Sequence, residues 1–150
     1  MSLDSHFINA ITSEIEPQYT VDKKGNIDST TEIPNGGQWC SSENFLVIAG
    51  LLGVHPSVFF SANPLSHEFI KEGYDKLKRF RHALHKSSSA LDMIKGVAFN
   101  QNRAYVTNPY EWETLKTQVR LFSEKDFVDI YNKFKYYAHV PYEINIVSTW

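Results

Sequence analysis

The chain has 150 residues, a formal net charge of −2, 42% hydrophobic residues and a single cysteine. This length and composition predict one globular domain and exclude wholesale disorder, and one cysteine excludes both an intramolecular disulfide framework and a Cys-based zinc cage. No apolar run reaches the roughly 18 residues of a membrane span. No apolar stretch follows a basic one to mark a signal peptide. The expected setting is therefore soluble and cytoplasmic, with signal-less export left open.

In residues 2–15, Phe7, Ile8, Ile11 and Ile15 recur at helical spacing behind Asp4, which predicts a helix stopped by Pro17. The stretch at about 18–40 reads as a long irregular loop. It contains one small hairpin around Lys24 and Gly25, then loop through 29–31 and 34–37. Residues 41–53 are apolar from Phe45 onward and predict a buried helix closed by Gly53. Residues 54–60 are β-prone, but Pro56 restricts them to an edge strand or a connector.

Ser66 caps the clearest helix, which runs to about Lys86. Its stripe of Phe69, Ile70, Tyr74, Leu77, Phe80 and Leu84 faces inward, and Lys71, Lys78, Arg79, His82, His85 and Lys86 share another face. Arg81 falls inside the apolar stripe and must snorkel or pair. Residues 90–95 predict a short helix closed by Gly96, and 97–106 read as a hairpin around Asn100 and Asn102. Asn108 and Pro109 start a helix with Trp112, Leu115, Val119 and Phe122 inward. Ser123 and Asp126 form a capping-box variant for a last helix through Phe127, Ile130, Tyr131, Phe134 and Tyr137. A strand over 143–148 follows Pro141. The expected architecture is a helix-dominated α+β single domain with a small antiparallel sheet, made of the 97–106 hairpin and the C-terminal strand.

The net charge conceals a polarity. Residues 1–70 carry −6, residues 71–103 carry +5 and residues 104–150 carry −1. Such a domain presents acidic and basic poles if the fold keeps them apart.

Motif inspection removes several chemistries: the chain has no GxGxxG, GxxxxGK[ST], GxSxG, HExxH or CxxC. The sharpest candidate is Cys40, behind Gly36, Gly37, Gln38 and Trp39 and expected at the start of the apolar helix. A thiol at a positive helix end is biased towards thiolate, and nearby backbone N–H groups can hold an oxyanion. His139 is the expected base, with His82 and His85 as alternatives. A second candidate is the basic face with Lys78, Arg79, Arg81, His82 and His85, which could neutralise phosphates or cleave RNA. His82 and His85 lack a third ligand within reach on their own helix, so no metal is expected. A third is the acidic first half, where Trp39, Tyr19, Phe59 and Phe60 could anchor a protein partner, with Gln38 beside them.

The first reading is a binding or regulatory module without a cofactor, acting on a macromolecule, expected to be a protein. The alternatives are a cysteine hydrolase or deamidase using Cys40 and His139, and a nucleic-acid binder or ribonuclease using the basic helix.

Overall fold

A computed structural model describes residues 3–61 and 63–149. The first strand, β1 (Asp4–Asn9), is the centre of a three-stranded antiparallel sheet, flanked by β4 (Gln38–Ser41) and β5 (Ile144–Thr149). The expected N-terminal helix is therefore corrected to a strand; its first residue, Ser2, lies outside the described residues. The inward set is Leu3, Ser5 and Phe7, at the strand period of two. Ser5 hides that period because it is polar. It is nonetheless fully buried, and its hydroxyl is 2.8 Å from that of Ser148 across the sheet. Ile11 and Ile15, which a helix would have turned inward, are exposed.

The stretch 18–40 is more ordered than its sequence suggests. β2 (Gln18–Val21) and β3 (Ile27–Ile33) form the expected hairpin. The Asp22 carboxylate closes it, accepting from the N–H groups of Lys24 and Asn26. Residues 29–31, expected as loop, belong to β3 as a bulge between the Tyr19–Glu32 and Thr20–Asp28 pairs. Thr30 N–H turns back onto the Asp28 carboxylate there.

α1 (Phe45–Leu52) is buried on nearly all sides and ends at Gly53, as its composition predicts. Residues 56–60 form a short 3-10 helix, not a strand, because the His55 ring accepts the Ser57 N–H ahead of a proline-initiated turn. α2 (His67–Lys86) begins at the Ser66 cap and buries Ile70, Leu77 and Leu84. α3 (Ala90–Arg103) runs straight through Gly96, so both the short helix and the 97–106 hairpin are corrected. Asn102, read as a turn residue, is instead buried, and its amide donates to Leu46 O and Ala98 O at 2.8 Å each. α4 (Pro109–Leu121) and α5 (Glu124–His139) begin at the expected caps, the latter with a complete capping box.

The fold is thus a helix-dominated α+β domain with a small antiparallel sheet and a separate hairpin. Its centre is aromatic. Phe7 stacks on Tyr137 at 4.1 Å, and Trp39 meets the Phe134 ring edge-on at 5.4 Å. Side groups meet both outer strands of the main sheet. Leu65 and His67 take backbone groups of β5, and the Lys133 ammonium takes the carbonyls of Asn35 and Gln38 beside β4.

Candidate binding groove

Cys40 lies within β4, five residues ahead of α1, and not at a helix start. It is 3% exposed, and its thiol donates to Ser41 O at 3.5 Å. Burial pushes the thiol well above its usual range, so the group stays protonated at neutral pH. The two glycines ahead of it serve packing. A Cβ on Gly36 would fall 2.4 Å from the Gln18 side chain, and one on Gly37 would fall 2.7 Å from Glu16 O. Neither opens a path for substrate. His139 is exposed at the end of α5, with Nδ1 2.7 Å from Lys135 O and its ring edge-on to Tyr74. The expected nucleophile is therefore a core thiol.

Trp39 is also core and cannot be a surface anchor; Phe59 is buried too, whereas Phe60 is exposed. Gln38 is half-buried and donates to the Asp4 carboxylate. Arg79, His82 and His85 are exposed on α2, while Arg81 is half-buried. Lys78 pairs with Asp75 at 3.2 Å and lies over the Tyr74 ring. Among the described residues, no three His, Cys, Asp or Glu side chains converge as a metal site, and no helix is long and apolar enough to cross a membrane.

A wider concavity than the one beside Cys40 lies at α4. A groove of about 530 Å³ runs between the outer face of α4, residues 42–44 ahead of α1, and the start of α5. Sequence periodicity orients α4 by its core stripe, but a second stripe faces outward. Tyr110, Glu113, Thr114, Thr117 and Leu121 fall within about 100° of arc on the helical wheel. Tyr110 is 81% exposed and Leu121 is 64% exposed, while Phe122 supplies a buried floor. The signal available in the sequence was the presence of two large apolar residues off the core stripe.

A polar clamp ties the two walls of the groove together. Gln118 on α4 accepts the Leu46 N–H at 2.9 Å and donates to Ser42 O at 3.1 Å. It thereby satisfies a first-turn donor of α1 that the Asn44 side chain leaves free. Glu43, Glu113 and Asp126 line the groove, and no Lys or Arg does. Glu113 is paired with Lys116 at 2.8 Å, and Asp126 accepts the Ser123 N–H in the capping box.

No protein-family model, curated protein or solved structure matches the chain.

Proposed function

We propose that the protein is a binding module that acts by contact with a protein partner, and that the α4 groove is the contact. The observation that carries this reading is the pair Tyr110 and Leu121, both largely exposed beside an open apolar hollow. Large apolar side chains exposed along a concavity leave water in contact with surface that a partner would cover. Tyrosine is also among the residues that contribute most at protein contacts. The acidic contact surface expected from the first half of the chain is reached here only through residues 42–44. A cytoplasmic setting belongs to the same reading, since the one cysteine is buried and unpaired.

Affinity capture from the source cells tests it. Proteins held by the wild type should be lost with Leu121→Asp and Tyr110→Ala, and kept with Arg79→Ala. If all three variants retain the same proteins as the wild type, the groove is not the contact.

A second reading, nucleic-acid binding, is favoured by the exposed cluster of Arg79, His82 and His85 on α2. It requires retention on immobilised RNA at about physiological salt, lost with Arg79→Ala. The protonated core thiol of Cys40 gives a hydrolase no support.

A further inference from the structure

We infer that the groove receives a segment of a partner protein that carries basic side chains around an apolar anchor. This rests on the protein-binding reading above and names the chemistry of its ligand.

Three observations support it. The groove does not end at α5. A smaller hollow of about 150 Å³ shares Asn44 and Asp126 with it and continues to Ser41, Asp129 and Lys133. The two adjoining hollows, taken together as a trough across the first turns of α5, suit a length of chain more than a compact small molecule.

Its charge is one-sided. Glu43, Glu113, Asp126 and Asp129 line the trough, and Lys133 is the one Lys or Arg that does. The Lys133 ammonium is committed to the carbonyls of Asn35 and Gln38. Glu43 has no ion pair among the described residues, and the Glu113 and Asp129 pairs are with exposed lysines that a ligand cation can displace.

The apolar part is local. Leu121, the last residue of α4, lies next to the buried Phe122, so the anchor belongs at that end, with cations extending along the carboxylates on either side; Tyr110 lies about three turns away in the first turn of α4. The basic face of α2 in a second copy of this chain would bring cations without an anchor, since none of the large exposed hydrophobic residues lies on that helix; self-association through another surface is an outcome of the test.

The test uses random linear peptides displayed on phage and selected on the full-length protein. Groove binders are those that fail on Leu121→Asp, a variant checked for native circular dichroism. These clones should carry Lys or Arg on both sides of an aliphatic or aromatic residue. A synthetic peptide made from them should bind about threefold to tenfold more weakly to Glu43→Lys and to Glu113→Lys, both exposed positions. Exchanging its basic residues for Glu should restore binding to the double Lys variant. Groove-dependent clones without excess basic residues, or affinities indifferent to both substitutions, would overturn the cationic ligand while leaving protein binding intact. Clones that all bind Leu121→Asp equally would overturn the groove itself. Concentration-dependent dimerisation in sedimentation, abolished by Leu121→Asp, would assign the groove to a second copy and overturn the inference.

Discussion

Gln118 does for α1 what the residue in front of that helix does not. Asn44 occupies the cap position with its side chain turned back to the Ser41 N–H, and the Gln118 amide reaches across to bond both Leu46 and Ser42. Gln118→Ala leaves a part-buried donor and a carbonyl without these partners and should cost about 1 kcal/mol, read as a lower urea midpoint at unchanged slope. Nothing in the sequence marks this residue, because the pairing spans 72 positions. Cys40 shows the same limit from the other side. The motif 34–40 is legible as a turn, but its glycines answer to Gln18 and Glu16, which the sequence does not place beside them. Cys40 should react with a thiol reagent only after denaturation. Tyr142 carries a pH signature. Burial, with the neighbouring Glu16 charge second and its hydrogen bond third, pushes the phenol up to about 12. Because the folded value exceeds the unfolded one, this stabilisation is complete below pH ~10 and is lost as the phenol ionises towards the folded value. Tyr142→Phe should remove that alkaline loss, followed by tyrosinate absorbance and thermal melts against pH.

At the scale of elements, caps and amphipathic stripes were readable, and α2, α4 and α5 begin where their sequences say. The failures came where tertiary packing outweighed local preference. Gly96 and the asparagines around 100 signal a stop, but the buried Asn102 amide ties α3 to α1 and holds the helix through them. A Cβ at Gly96 would meet nothing within 4 Å. Gly96→Ala should therefore stabilise the protein by about 0.5–1 kcal/mol, whereas a chain break there would give a loss. Gly50 is the opposite case. Its Cβ would fall 2.7 Å from Ala98 O, so Gly50→Ala should force α1 from α3 and cost about 1–3 kcal/mol in chemical denaturation. In β1 the buried Ser5 interrupts the alternation that would have announced a strand.

For the molecule as a whole, stability is unevenly distributed. The β2–β3 hairpin is a two-stranded sheet of its own, and β3 is exposed along almost its entire length. Isolated two-stranded hairpins are marginal in water. Its amides should exchange with solvent orders of magnitude faster than those of α1 or α5, as read by hydrogen-exchange mass spectrometry. Equal protection would mean that the hairpin unfolds only with the core. The charge polarity along the chain was legible as arithmetic. The acidic trough was not, since Glu43 comes from the acidic first half while Glu113 and Asp126 come from the near-neutral last third.

β1 is the first strand of the chain and the middle strand of its sheet, and one of its two neighbours is the last strand. During synthesis it emerges before β5 and waits with one side open until that strand arrives. α1, eight residues long and too short to persist alone, waits likewise for Gln118. One wall of the trough, residues 42–44, waits in the same way for α4 and α5, which supply the other. A chain in which those helices have not yet emerged has no trough to offer, and a partner that recognises it distinguishes the folded domain from a partly made one.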